Sequence, residues 1–195
     1  MHAVKILPKS IPQKPLREVL SNISRRDRLH IATALACGMI QFGGNWLKSW
    51  WDISDVYLAA TSDDGGNVLL DNLYLSWPLS TTGTIPGPRN DKYSHFGENR
   101  LLPLGLALVE LSLGKSLQTL LDLEDGNQDT LMSRFNTASW LVKMVYMESG
   151  MNYADVVNSC LSWSGLCLEK KFEERVFDTI DSPLLKDLGT FEGLA

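Results

Sequence analysis

Glu98–Lys115 reads ENRLLPLGLALVELSLGK. Leu101, Leu102, Leu104, Leu106, Leu108, Val109 and Leu111 fall around most of a helical circumference, not along one stripe. A helix apolar nearly all round is a buried, central helix in a globular domain. The spacing predicts that helix over 98–113. The apolar stretch, Leu101 to Gly114, is interrupted by Pro103 and Glu110 and falls short of the ~20 residues that cross a bilayer, so no transmembrane segment is expected. Glu110 is the lone acid in it. Burying an unpaired carboxylate is costly, so a structural partner for Glu110 is expected.

The neighbouring segments read as further helices. Thr130 to Tyr146 carries Phe135, Ala138, Leu141, Val142 and Val145 on one face and ends at Gly150. Tyr153 to Trp163 and Phe172 to Ile180 follow, and Ser182-Pro183 predicts the start of a last short helix, with serine as cap and proline at its first position. Toward the N-terminus, Leu16 to Leu20 is one short helix. Ser24, with Asp27 three residues on, predicts an N-cap. Leu29, Ala32, Leu35, Ala36, Met39 and Ile40 then form one apolar stripe. Val56–Ala60 suits a strand, Asp63–Asn67 a hairpin turn, and a second strand is expected at Val68–Leu70 or Leu73–Trp77. Residues 78–92 read as a surface loop. The expected class is mainly α with one small β-hairpin.

The chain has 195 residues with a net charge of −5. An extended basic lead-in over residues 1–15 and a single domain over 16–195 are expected. Residues 1–30 hold seven Lys/Arg against two Asp/Glu, and the remainder 11 against 21. An acidic body argues against nucleic-acid binding, which needs clustered cations. The basic flank, including Arg25, Arg26 and Arg28, is a candidate interaction surface. It would take a protein partner or an upstream domain, with an anionic membrane surface met by residues 5–28 as a second option. Trp46, Trp50 and Trp51 are a second candidate surface, with core packing as the competing reading. The three cysteines fit no metal-binding pair, the acidic run from Asp122 to Asp129 does not follow a calcium-loop pattern, and no Gly-rich phosphate loop occurs. No histidine pairs at metal spacing, and His30 is expected to face solvent. No signal peptide is recognisable, so a cytoplasmic location is expected. The residues identify no cofactor, catalytic group or metal ligand.

RRDRLHIATALACGMIQF followed by WLKSWWDISDVYLA resembles the protein-kinase C-lobe from its long helix into the catalytic loop. YSHFGENRLLPLGLALVELSLGKSL resembles that lobe's central hydrophobic helix. SGMNYADVVNSCLSWSGLCLEKKFEERVFDTIDSPLLKDL resembles a fungal, kinase-like family of unknown function that often follows helical domains of the prion-inhibition and propagation type. The resemblance spans roughly residues 16–188 and implies a kinase-like C-lobe. It departs from active kinases where chemistry needs residues. An active kinase uses a catalytic Asp, an Asn and a second Asp for Mg²⁺, and a phosphate-binding Lys. Here the loop reads WWDISDV, with Asp52 and Asp55 at vestigial positions. No His-Arg-Asp or Asp-Phe-Gly occurs, and no N-lobe is present. The resemblance therefore implies a non-catalytic, pseudokinase-like interaction or regulatory module, set in fungal self/non-self or immune-type signalling. The alternatives are a residual phosphotransferase served by an N-lobe from elsewhere, and a fragment of a larger protein without activity of its own.

Overall fold

The computed structural model describes residues 13–41, 51–59, 73–75, 99–121, 130–164 and 169–193. The expected central helix is α3, Leu102–Leu113. Every residue in it from Leu102 to Ser112 is buried. It begins four residues later than its hydrophobicity predicts, because the Asn99 side chain holds a tight turn just ahead of it. Asn99 Oδ1 accepts the Leu101 N–H at 3.0 Å. Gly114 closes α3 with φ 64°, donating its N–H to the Glu110 carbonyl. A left-handed residue at this place strongly favours glycine.

Four helices pack directly on this rod. α2 (Arg25–Gln41) precedes it in the chain, and α4 (Leu117–Leu121) follows it directly. α5 (Leu131–Ser149) and α6 (Met151–Leu161) pack on it and on each other. α7 (Glu169–Val176) runs through a π turn (Phe177–Asp181) into α8 (Ser182–Phe191), which packs on α2 and α6. The expected break at Ser182-Pro183 is therefore a continuous passage. A proline ring would press on the carbonyl four residues back in a regular α turn. The wider turn, with the Ser182 N–H donating to the Phe177 carbonyl, accommodates it.

The N-cap read from sequence at Ser24 is present, and the structure adds one at Thr130. The Asp27 N–H donates to Ser24 Oγ, and the Ser133 N–H to Thr130 Oγ1, both at 3.1 Å. Gly150, with φ 90°, separates α5 from α6.

The β element is larger than a hairpin. β1 (Gln13–Pro15), β2 (Val56–Ala59) and β3 (Leu73–Leu75) form an antiparallel sheet in that order. Lys14 pairs with Leu58, and Tyr57 with Tyr74. The end of the lead-in is thus a strand, because β2 has a free edge that the extended Gln-Lys-Pro segment can pair with. Val56 and Leu58 are buried while Tyr57 is partly exposed, the alternation of a one-sided sheet. β3 falls in the second of the two windows expected. The Asp63–Asn67 turn, the 78–92 loop, Trp46, Trp50, the Asp122–Asp129 run and residues 1–12 lie outside the described residues. The helix from α1 (Leu16–Val19) continues as a 3₁₀ turn over Leu20–Asn22.

Gly105 marks where α3 and α6 touch most closely. A Cβ there would lie 2.9 Å from Cys160 Cβ and 3.3 Å from the Leu161 amide nitrogen. Both neighbours sit on a rigid helix, so neither can move away cheaply. Gly105→Val is expected to cost about 1–3 kcal/mol by overpacking. Thermal unfolding followed by circular dichroism should then show a midpoint lower by about 2–4 °C per kcal/mol.

Candidate functional site

The turn that carries Asp52 and Asp55 lies between Trp51 and β2. Trp51 and Ile53 point into the core, at 4% and 2% exposure. Trp51 is therefore a packing residue, not an open stacking platform. Asp52 and Asp55 cap one 3₁₀ turn, Ile53–Asp55, reciprocally. Asp52 Oδ1 accepts the Ser54 N–H at 2.7 Å, and Asp55 Oδ2 accepts the Asp52 N–H at 3.1 Å. Their three-residue separation, which is too short for the kinase spacing, is the spacing of a capping box. Arg134 of α5 reaches Asp52 Oδ2 at 3.5 Å, and Arg17 of α1 donates to Ser54 Oγ at 3.2 Å. The turn is clipped to the helices on either side.

Glu110 sits beneath this turn. Its Oε1 accepts the Leu117 N–H at 2.7 Å, capping α4. Burial pushes its carboxyl up to about 7, against the opposing pull of that hydrogen bond and of Arg134. The cavity enclosed by Trp51, Asp52, Glu110 and Arg134 is only about 10 Å³, room for about one water. Among the described residues, no three His, Cys, Asp or Glu side chains converge on a metal position.

A larger groove of about 390 Å³ opens where α2 begins, α3 ends and α5 turns into α6. Arg25, Arg28, Ser112, Asn152, Tyr153 and Phe191 are among its lining residues. Arg25 is exposed at its rim. Arg28 is turned inward, donating from Nη1 to the Leu111 and Ser112 carbonyls at 3.1 and 2.9 Å. Those are terminal carbonyls of α3, so Arg28 is an architectural residue. Arg26 and His30 both reach Glu192 Oε1, at 3.2 and 2.8 Å. Arg26 first, and then His30, hold the Glu192 carboxyl below its usual range. His30, expected to face solvent, is only partly exposed and ties α2 to the end of α8. The arginines of the basic flank therefore divide among a groove rim, a surface ion pair and an internal cap.

Asp181, which was not singled out from the sequence, meets the Cys37 and Cys160 thiols between α2, α6 and the π turn. Asp181 is 2% exposed, and its Oδ1 has no hydrogen-bond partner among the described residues. Burial raises its carboxyl to about 6, opposed by a hydrogen bond from the Cys37 thiol. Burial first, and then the charge of Asp181, push Cys37 to about 11. Burial likewise raises the fully enclosed Cys160 thiol. For Asp181 the signal in the sequence was one acid at the end of an apolar helix.

The exposed face of α5 was also missed. Its buried side matches expectation: Ala138, Leu141 and Val145 are enclosed, with Phe135 and Val142 packed at the margin. Trp140, Met144 and Met147 lie on the other side and are exposed. The signal was a second apolar series, four and then three residues apart, behind the first.

Together these features define a mainly helical domain with a small sheet, a self-capped acidic turn and an exposed apolar helix face. The chain belongs to the family described as Domain of unknown function (DUF7580), whose model matches residues 5–190. No curated protein and no solved structure matches the chain. No helix among the described residues is long and apolar enough to cross a membrane.

The raised Glu110 carboxyl makes stability depend on pH. The folded state keeps this proton to about pH 7, whereas an ordinary glutamate releases it at 4.5. Between those values the folded state binds more protons, so stability falls as pH rises. The contribution is full below the lower value and lost above the higher one. Glu110→Gln, which keeps an acceptor for the Leu117 N–H, should flatten the decline by up to roughly 1.4 kcal/mol per pH unit. Asp181, raised in the same direction, sustains the remaining slope. Urea titrations at a series of pH values check both.

Proposed function

We propose that this domain is a non-catalytic, kinase-like interaction or regulatory module, working in the cytoplasm in fungal self/non-self or immune-type signalling. The observation that carries this reading is the use made of Asp52 and Asp55. In a kinase, acidic groups at such positions face substrate and Mg²⁺. Here each accepts a backbone N–H of the same turn, and Asp52 also meets Arg134. The space below them holds about one water, as measured by its volume of about 10 Å³. A carboxylate engaged in capping its own turn, beside a cavity of this size, is poorly placed to hold a metal-bound nucleotide. In this reading a C-lobe-like order of segments carries polar residues that serve the architecture, and a fold alone does not confer activity.

The working surface in this reading is the exposed side of α5. Exposed apolar patches mark interaction sites, and methionine-rich ones adapt to their partners. The partner is a protein.

Nucleotide binding tests the proposal. Adding ATP and Mg²⁺ is expected to leave the thermal midpoint of the full chain unchanged. A ligand at 100-fold excess over its dissociation constant would add about 2.7 kcal/mol, which is roughly 5–10 °C. A saturable shift of that size, lost in Asp55→Ala, would sink the non-catalytic reading.

A further inference from the structure

α5 is enclosed on one side and bare on the other. Trp140 is 65% exposed, Met144 48% and Met147 79%. The exposed residues stand four and then three positions apart, the d–a–d rhythm of a helix-pairing seam. With Trp140 at d, Met144 falls at a and Met147 at d. Lys143 then occupies g and Glu148 occupies e. Both are exposed.

The two charges select the orientation of a pair. In a parallel pair, g on one helix meets e of the other, five residues further along, and charges at these positions set orientation and partner. Lys143 and Glu148 are five apart and opposite in sign. In an antiparallel pair, g meets g and e meets e, setting lysine against lysine and glutamate against glutamate. Glu148 Oε1 is 4.0 Å from Arg28 Nη2, a contact loose enough for the carboxylate to serve a second cation.

We propose that α5 pairs in parallel with α5 of a second copy of this chain, through a Trp140–Met144–Met147 seam flanked by two Lys143–Glu148 bridges. This rests on the interaction-module reading and names the partner of its surface. The contact is isologous, each copy offering the same patch about a two-fold axis along the helices. Trp140 and Met147 of one copy lie against Trp140 and Met147 of the partner subunit. Lys143 of each copy reaches Glu148 of the partner subunit. The seam covers fewer than two heptads, so association is concentration-dependent.

Sedimentation velocity of the full chain over a wide concentration range tests this. The wild type is expected to approach twice the monomer mass. Trp140→Glu and Met147→Glu should each stay monomeric while melting like the wild type, since neither touches the core. Lys143→Glu alone, or Glu148→Lys alone, should weaken dimerisation about tenfold, equivalent to roughly 1.4 kcal/mol. An equimolar mixture of those two variants should recover it, because in the mixed pair one bridge is the wild-type Lys143–Glu148 pair and the other is restored with its sign reversed. A wild type that remains monomeric, or a dimer indifferent to Trp140→Glu, overturns self-pairing. Single-charge variants that dimerise like the wild type overturn the parallel arrangement. The non-catalytic reading is decided separately by the nucleotide experiment, so the two can fail independently.

Discussion

The structure depends on burying a helix that is apolar on every side. α3 leaves its own backbone ends and one carboxylate largely buried. Each such group, left without a partner, would cost about 1–3 kcal/mol. Side chains from distant parts of the chain meet this need. Arg28 of α2 binds the carbonyls at the end of α3. Tyr153 of α6 donates to the Leu108 carbonyl at 2.9 Å. Asn99 caps the start of α3 and also donates to the Cys160 and Leu161 carbonyls at the end of α6. Glu110, the acid within α3, caps α4. The polar residues therefore fix how the surrounding helices are placed, and hydrophobic burial supplies the driving force.

The same logic accounts for the acidic turn. Asp52 and Asp55 resemble remnants of a catalytic loop by position, yet each is occupied by a local backbone donor. Arg17 and Arg134 then join the turn to α1 and α5. These contacts span the sheet side and the helical side of the domain. Under the proposed reading, carboxylates released from chemistry have become clips that hold the two parts in register.

α5 shows how one helix divides its duties. Ala138, Leu141 and Val145 belong to the core, and a turn of roughly 130° around the axis brings Trp140, Met144 and Met147 to the surface. Glu148 stands beside that surface and within 4.0 Å of Arg28, which itself holds the end of α3. The exposed face is thus built on the most enclosed part of the fold, which gives it a rigid support.

The sequence by itself determined the helical class, the central position of α3, the cap at Ser24 and the stop signal at Gly150. All of these follow from local rules: periodicity, short-range hydrogen bonding and the backbone freedom of glycine. It also singled out Glu110 and the Asp52–Asp55 pair, because an acid in an apolar run and a close pair of acids are visible without coordinates. Only the tertiary structure decided what those residues do. Three neighbouring arginines look alike in sequence, yet one lines a groove, one meets Glu192 and one caps a helix 83 residues away. The pairing of β1 with β2, the continuous passage from α7 to α8 and the enclosure of Asp181 beside Cys37 likewise depend on contacts between distant segments. Hydrophobic periodicity reports which face of an element is apolar; which apolar face is covered, and by what, is decided only when the helices meet.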